Sequence, residues 1–351
     1  MCSFCGWILT YGQIPLEHHK MPKRFAQSSS ETLESASTMS VRTTEGPIRR
    51  LWERRPFPVR KMGQLLRVVR ESHEQPLTGE ARPVELVSPS ELGITFIGHS
   101  SFFLQIAGRN ILIDPVFATR LIVLRRQRYP GLLVESLPAI DLVLITHAHM
   151  DHLNIPSLRR VVRATRRLRG RGPEIVVPHG VEDLVAHLGF RRRHTMKWWQ
   201  QVDVAGVKVT MTPCRHWGAR MFNDTHRGYG GYVVSSSQHS VYHSGDTAYF
   251  SGFSEIGSRL RPRVALLPIG AYFPDSYRSV HTSPEEAVRG FVETGAEWMV
   301  PMHYGTFRLG REPMDEPLKR LRAESHRLGI DHRVRVLEEG GTLRLPPSAA
   351  E

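Results

Sequence analysis

The sequence predicts one layered domain of the α/β (α+β) class, and the order of its elements leads to that prediction. The first strands are joined as a hairpin, whereas later strands alternate with helices, as in a mixed sheet with helices packed on its face. The chain has 351 residues, of which 40% are hydrophobic, so it is long enough to bury a core of this kind.

The domain opens near Ile94 with a predicted β-hairpin. Apolar residues alternate over 102–106, Gly108-Arg109-Asn110 supplies turn chemistry, and 111–113 returns as the second strand. The run DLVLIT at 141–146 is short and apolar, which is typical of a strand buried on both faces.

A helix is predicted from about Pro156, since apolar residues recur there at helical spacing and proline is favoured at a first helical position. Further strands are predicted at 175–177, 207–211, 232–235, 241–243, 264–267 and 298–301. Further helices are predicted at 181–187, 284–293 and 313–327. Strands and helices therefore alternate through the second half of the chain.

The N-terminal part divides into two predicted segments. Residues 1–45 are rich in Ser, Thr and Glu without an apolar period, which predicts disorder. Residues 46–90 mix proline with aromatic and basic residues, which predicts an extended segment packing on the domain. Residues 91–351 form the predicted domain itself.

Charge and cysteine content restrict the class of protein. Lys and Arg number 47 against 34 Asp and Glu, and the net charge of +13 favours anionic partners. Three cysteines make no disulfide framework, and Cys2 and Cys5 form a lone C-x-x-C that is weak as a metal signal. No run of eighteen apolar residues and no secretory signal are evident, so we expect a cytoplasmic protein.

A cluster of metal-ligand side chains follows the predicted strand at 141–146. In His147-Ala148-His149-Met150-Asp151-His152, three imidazoles and one carboxylate fall within six residues. Imidazole nitrogens and carboxylate oxygens suit Zn²⁺, and they also accept Mn²⁺ or Fe²⁺. Four such side chains in a loop after a strand predict a metal site.

Three more ligand candidates follow other predicted strands, namely His216, Asp246 and His303. Each lies near a glycine or proline that shapes the turn. Catalytic groups commonly lie at the carboxyl ends of strands in such sheets, so we expect these side chains to join the first four. Seven ligands divide naturally over two ions with one carboxylate shared, and two such ions can share a hydroxide nucleophile.

The motifs HAHMDH, TPCRHW, HSGDTAYF and VPMHYGTF, in this order, resemble the metallo-β-lactamase superfamily. More narrowly they resemble its branch with the N-acylphosphatidylethanolamine-hydrolysing phospholipase D. The resemblance covers about residues 90–345 and implies a four-layer αβ/βα sandwich. It also implies that His147, His149 and His216 bind one zinc, that Asp151, His152 and His303 bind the other, and that Asp246 bridges them.

We therefore expect a metal-dependent hydrolase, most simply a phosphodiesterase, with Asp151 and Asp246 as catalytic carboxylates. His281 precedes a predicted helix and is a candidate to polarise the phosphate or to protonate the leaving group; a surface histidine is the alternative. Asp114 is a candidate hydrogen-bond partner of a ligand histidine, or else a turn residue. His99 is either a similar partner or an ordinary core histidine.

The substrate and partners are less specified. The resemblance favours an N-acyl phospholipid, although residues 227–232 lack the tryptophans of the phospholipase. Apolar residues beside arginines at 121–134 suggest either peripheral contact with an anionic membrane or a buried strand with a basic rim. A sugar-phosphate lactonase and, less favoured, a nucleic-acid-binding protein are the alternatives. The oligomeric state stays open, a homodimer included.

Overall fold

The structure is a computed structural model that describes residues 57–220 and 224–347, with side chains from residue 66 onward. The predicted disorder of residues 1–45 lies outside this range. The strands are β1 Leu92–Gly98, β2 Ser101–Ile106, β3 Arg109–Ile113, β4 Arg120–Leu121, β5 Leu124–Arg125, β6 Leu142–Leu144, β7 Glu174–Pro178, β8 Arg192–Met196, β9 Gln201–Val204, β10 Val207–Thr212, β11 Gly231–Ser235, β12 Ser240–His243, β13 Val264–Pro268, β14 Trp298–Met302 and β15 Thr342–Leu345. The α-helices are α1 Phe57–Glu74, α2 Ile155–Arg169, α3 Glu182–Val185, α4 Gly252–Leu260, α5 Pro284–Thr294 and α6 Glu316–Arg327.

Two mixed sheets form the centre of the fold. The first has seven strands in the order β15-β1-β2-β3-β6-β7-β8, and the second has six in the order β14-β13-β12-β11-β10-β9. Neighbours are antiparallel at one side of each sheet and parallel at the other, for example at β3–β6 and β12–β13. The carboxyl ends of the parallel strands β6, β13 and β14 therefore supply loops to one edge of the sandwich.

Three apolar clusters define four layers. The inner cluster joins both sheets and contains, for example, Ile94 of β1 and Val209 of β10. A second cluster packs Leu158 of α2 on the outer face of the first sheet. A third packs Phe253 of α4 and Phe291 of α5 on the outer face of the second sheet. The expected αβ/βα order of layers is confirmed.

Most predicted elements are present, with altered bounds. The hairpin pairs β2 with β3 and places Leu104 opposite Ile111. Helix α2 begins after Asn154, whose side chain caps Ser157 N, and it ends at Gly170 in a left-handed conformation. The helix predicted at 181–187 is shorter, and the one predicted at 313–327 begins at Glu316. Strands β1, β8, β9 and β15 and helix α4 were not predicted.

The prediction of an extended conformation for residues 46–90 is wrong over Phe57–Glu74, which forms helix α1. Arg67 and Glu71 form an ion pair one turn apart, as do Arg70 and Glu74. Such pairs support a helix. Within the described side chains, Val68 and Val69 pack against the hairpin β4–β5, so this part of the segment does lie on the domain.

The segment 121–134 combines features of the two predicted alternatives, an exposed surface for membrane contact and a buried strand. Strands β4 and β5 form a two-stranded hairpin. Leu121 and Leu124 point inward and are buried, whereas Ile122 and Val123 at its tip are 43% and 37% exposed. Among the described residues, no helix is both long and apolar enough to cross a bilayer.

Candidate metal centre

The loop after β6 places four ligand candidates at the edge of the first sheet. Strand β6 is paired on both sides, with β3 and β7, which fixes where its carboxyl end points. The loop then turns tightly: His152 N and Leu153 N both donate to His149 O, at 3.1 and 2.7 Å. Because the backbone curls rather than extends, His147, His149, Asp151 and His152 converge instead of alternating between faces.

One group of ligand candidates consists of His147, His149 and His216. One ligand atom from each lies within 4.8 Å of the others, and all three residues are buried. His216 follows β10 of the second sheet, so this group joins the two sheets. Its Nδ1 donates to Val280 O at 2.9 Å, which turns Nε2 toward His149 Nδ1 at 3.3 Å.

A second group consists of Asp151, His152, His303 and His99, which meet the same distance criterion and are buried. His303 follows β14. His99 lies between β1 and β2, its Nε2 donates to Asp151 Oδ2 at 2.9 Å, and its ring lies 4.3 Å from that of His303 between centroids. His99 is thus a direct partner of the candidate ligands.

Asp246 lies between these groups, in the loop after β12. Its Oδ2 is 3.3 Å from His152 Nε2 and 3.0 Å from His303 Nε2. The same oxygen is 3.9 Å from His216 Nε2. Gly245, with φ of +62°, turns the chain here, and an added Cβ would lie 2.9 Å from Gly230 O. Asp246 therefore occupies the position expected of a shared carboxylate.

The polar atoms of this centre fit a bound cation. Nε2 of His147, His152 and His303 and both carboxylate oxygens of Asp246 are buried and have no hydrogen-bond partner among the described residues. Buried polar atoms are ordinarily paired, and each one left unpaired is costly. Imidazole nitrogens and carboxylate oxygens that converge in this way suit divalent ions of the zinc type.

The surroundings of Asp151 and Asp246 favour the ionised carboxylates, which are the forms that bind a metal ion. Burial alone raises the pKa of Asp151 and Asp246, but His152, His303 and, for Asp151, His99 outweigh it and hold both pKa values well below the usual range. For His147 and His149, burial lowers the pKa well below its usual value, so they are neutral near pH 7. Burial lowers the pKa of His152 and His303, but Asp246 and Asp151 outweigh it and raise the pKa of His152 well above its usual value and that of His303 to about 9. A metal requires ionised carboxylates and neutral imidazoles, so an ion that binds here displaces a proton from these two histidines.

A hydrogen-bond chain orients the ligand histidines. Asp114 Oδ2 accepts from His152 Nδ1 at 2.7 Å and from Thr146 Oγ1 at 2.6 Å. Thr146 Oγ1 in turn accepts from His147 Nδ1 at 2.9 Å. Both rings thus present Nε2 to the centre, which is the role predicted for Asp114.

Three residues of the centre have unusual backbone geometry. His99, Asp114 and His303 have φ values of +60°, +44° and +60°, a region that side chains other than glycine's seldom adopt. Such strain persists only where surrounding contacts enforce it, and it is common at functional sites. Here it aims three side chains at one point.

Three further residues lie around the candidate metal centre. His281 is buried, with Nδ1 3.9 Å from Asp246 Oδ2 and its ring 5.1 Å from that of His216. Trp217 packs its ring 4.2 Å from the ring of His216, a contact that adjacency in TPCRHW could have indicated. Arg220 Nη1 donates to Ala148 O and Leu153 O, which fastens both ends of the ligand loop; no sequence signal marked it.

All seven predicted ligands and His281 therefore meet at one edge of the sandwich. The catalytic role of His281 stays a prediction.

Comparisons with known proteins show the family of the chain. A beta-lactamase superfamily domain model matches residues 109–304. A metal-dependent hydrolase from Methanopyrus kandleri is 32% identical over 251 residues, 70% of this chain and 97% of that protein. The N-acyl-phosphatidylethanolamine-hydrolyzing phospholipase D 1 of Caenorhabditis elegans is 28% identical over 252 residues, 65% of this chain and 69% of that protein. The metallo hydrolase Igni18 of Ignicoccus hospitalis superposes with a TM-score of 0.56 at 27% identity, covering 73% of this chain and 98% of Igni18.

Proposed function

The chain belongs to the beta-lactamase superfamily and is a metal-dependent hydrolase, and on that premise we propose that it is a two-zinc phosphodiesterase of the phospholipase D type. Its proposed substrates are N-acylphosphatidylethanolamine-like phospholipids. The observation that carries the proposal is the position of Asp246, within 4 Å of histidines from both ligand groups. The similarity to the nematode phospholipase supports the substrate class.

The ligands fit two adjacent ions. His147, His149 and His216 would hold one, Asp151, His152 and His303 the other, and Asp246 both. When bound, two divalent ions lower the pKa of coordinated water and stabilise negative charge on phosphoryl oxygens.

The charge of the ligand set suits an anionic substrate. Asp151 and Asp246, both ionised, offset only part of the charge of two divalent ions, and the other ligands are histidines. The surplus positive charge attracts a phosphodiester and favours the more highly charged transition state.

No cysteine competes as the nucleophile among the described residues. Cys214 is buried near the centre, and burial, followed by the charge of Asp246, raises the pKa of its thiol well above the usual range. A protonated thiol is a poor nucleophile. Water is therefore the proposed attacking group.

His281 is proposed to act as a hydrogen-bond donor to the substrate. Burial lowers its pKa well below the usual value, so the imidazole is neutral and carries one N–H at pH 7. Next to Asp246, this N–H can meet a phosphoryl oxygen or the leaving oxygen.

The hairpin β4–β5 is proposed to contact the membrane that contains the substrate. Ile122 and Val123 are exposed at its tip, and Arg120 beside them is exposed as well. Apolar tips flanked by cations suit an anionic bilayer surface. Val116 and Phe307 pack at its base, and Phe307 contacts His99, so the hairpin is anchored beside the metal centre.

The test is a substrate panel with zinc-loaded protein: N-acylphosphatidylethanolamine in anionic vesicles, a simple phosphodiester and a phosphorylated lactone. We expect release of N-acylethanolamine and phosphatidic acid, with cleavage abolished by Asp246→Asn. Vesicle binding should fall in Ile122→Ser/Val123→Ser, whereas cleavage of the simple phosphodiester should not.

Hydrolysis of the lactone without any phosphodiester cleavage would overturn the proposal in favour of a lactonase. Salt-sensitive RNA binding by a metal-loaded protein that hydrolyses nothing would favour the nucleic-acid-binding alternative.

A further inference from the structure

Helix α2 carries an unusual charge pattern on the outer surface of the first sheet. Its 15 residues include arginines at six positions and no acidic residue: Arg159, Arg160, Arg163, Arg166, Arg167 and Arg169. In the other described helices that carry basic residues, a carboxylate lies one turn from a cation, in the pairs Arg67–Glu71, Arg259–Glu255, Arg289–Glu293 and Lys319–Asp315. The exposed face of α2 therefore lacks the carboxylates that partly neutralise the cations on the other helices.

The six arginines divide into two sets. Arg160 pairs with Glu135, and Arg169 pairs with Asp141, both on neighbouring loops. Among the described side chains, the other four form no ion pair within 4 Å; they are Arg159, Arg163, Arg166 and Arg167, of which Arg167 acts on Glu135 only at longer range. We call these four the groove arginines.

The groove arginines line a concavity of about 470 Å³ between α2 and the segment after α3. Val162 and Leu188 form a largely buried apolar floor, and His187 lies on the opposite wall. No acidic residue lines it. The volume is in the range of small-ligand sites, and the lining combines an apolar surface with a row of four cations along α2.

The groove arginines repel one another because they are spaced three or four residues apart on the same helix. Arg159 and Arg163 are four residues apart, Arg163 and Arg166 three, and Arg163 and Arg167 four, so like charges are neighbours on the helix surface. The C-terminal end of the helix dipole favours Arg166 and Arg167, but it does not favour Arg159 in the first half. A multivalent anion in the groove would relieve this repulsion.

We propose that this groove binds a small anion that carries two or more phosphate groups. Guanidinium groups match phosphate oxygens with paired, charge-assisted hydrogen bonds. The groove arginines extend about 12 Å along the helix, more than one phosphate can engage, while the apolar floor accommodates the part of the ligand between phosphates.

This site is separate from the metal centre. Helix α2 starts next to the ligand loop at Asn154, but Arg166 is roughly 18 Å further along the helix axis. The proposal therefore does not depend on the reaction at the metals. It also differs from the membrane contact proposed for the hairpin β4–β5, because a concave groove fits a compact anion better than a flat bilayer.

Titration calorimetry of the zinc-loaded full chain with fructose 1,6-bisphosphate tests the proposal at about 150 mM salt. Fructose 6-phosphate is the matched ligand with a single phosphate. The groove variant is Arg163→Gln/Arg167→Gln, and the control is Arg160→Gln/Arg169→Gln, which removes the same charge from the same helix. We expect the bisphosphate to bind at least about 10-fold more tightly than the monophosphate, and the groove variant to bind it about 30-fold more weakly. The control should stay within about 3-fold of the wild type, and both variants should keep hydrolytic activity.

Equal loss of affinity in both double variants would overturn the proposal, since it would indicate only the overall positive charge. Undetectable bisphosphate binding would overturn it as well. So would tight binding of a 20-nucleotide RNA that depends on the groove arginines while the bisphosphate does not bind, because the partner would then be a polymer.

Discussion

His99 Nε2 donates a 2.9 Å hydrogen bond to Oδ2 of Asp151, and both side chains are buried at the edge of the two sheets. His303 N also donates to His99 O at 2.8 Å, so His99 contacts one candidate ligand through its side chain and another through its backbone. A residue that could have been an ordinary core histidine is therefore placed to hold Asp151 and His303 in position.

Replacement of His99 by Ala should weaken zinc binding about 10- to 100-fold, because Asp151 loses the donor that orients it. His99→Gln, which keeps an N–H donor, should recover part of the affinity. Zinc competition with a chromophoric chelator measures the change. Equal zinc affinity in His99→Ala and the wild type, with the fold intact by circular dichroism, would show that Asp151 needs no such support.

Asp114→Asn should lower zinc affinity by a similar factor. Asp114 accepts from His152 Nδ1, Thr146 Oγ1 and Thr146 N, and an amide cannot accept from all three without turning an N–H toward a donor. Glu174→Gln, which changes a carboxylate of the same sheet far from the centre, is the control. The prediction fails if both variants retain wild-type zinc content after dialysis.

Asp246→Asn should lose both metal occupancy and hydrolysis, since its carboxylate lies within 4 Å of histidines from both ligand groups. Removal of metal from the wild type by chelation should lower its melting temperature, because an ion that binds only the folded state stabilises it. Elemental analysis and thermal unfolding measure the two effects. A metal-replete, active Asp246→Asn protein would contradict the two-ion scheme.

Gly98→Ala should destabilise the protein by about 3 kcal/mol or more. Gly98 has φ of +122°, and a Cβ there would overlap Arg126 Nη2. Arg126 cannot move aside, because it is fully buried and donates to the carbonyls of Ile97, Val116 and Arg128.

Gly79→Ala is the control for Gly98→Ala, since Gly79 also has a positive φ but open space around it. It should cost only the backbone strain, about 1 kcal/mol. Urea unfolding gives both values, and equal destabilisation of the two variants would rule out the clash with Arg126.

Glu174 should make the stability depend on acid pH. Burial raises its pKa, but hydrogen bonds from His194 and Arg191 outweigh burial and lower it below 4.5. Its contribution is therefore complete above pH 4.5 and is lost as the pH falls through the lowered value. The difference in unfolding free energy between wild type and Glu174→Gln should shrink from pH 6 to pH 3. A difference that is constant over this range would refute the assignment.

The sequence pattern alone predicted those elements whose structure depends on a single continuous segment of the chain. The hairpin at 102–113, helix α2 and the ligand loop after β6 follow from alternation, helical spacing and a buried apolar run. Strand β8 was missed because it is an edge strand whose residues 192–195 are mostly exposed, so it has no apolar alternation to detect. Helix α1 was missed because proline and aromatic residues around it suggested an extended chain.

By itself, the sequence predicted a metal centre, since seven side chains that can bind a divalent ion follow predicted strands. Only the tertiary structure decided which residues orient them. The partnership of His99 with Asp151 and the one between Asp114 and His152 join residues 52 and 38 positions apart. Only the structure likewise separates the groove arginines from Arg160 and Arg169, because it shows that these two pair with Glu135 and Asp141. The physical reason is that ligand chemistry belongs to a residue type, whereas orientation, burial and charge pairing depend on neighbours that the fold brings together from distant parts of the chain.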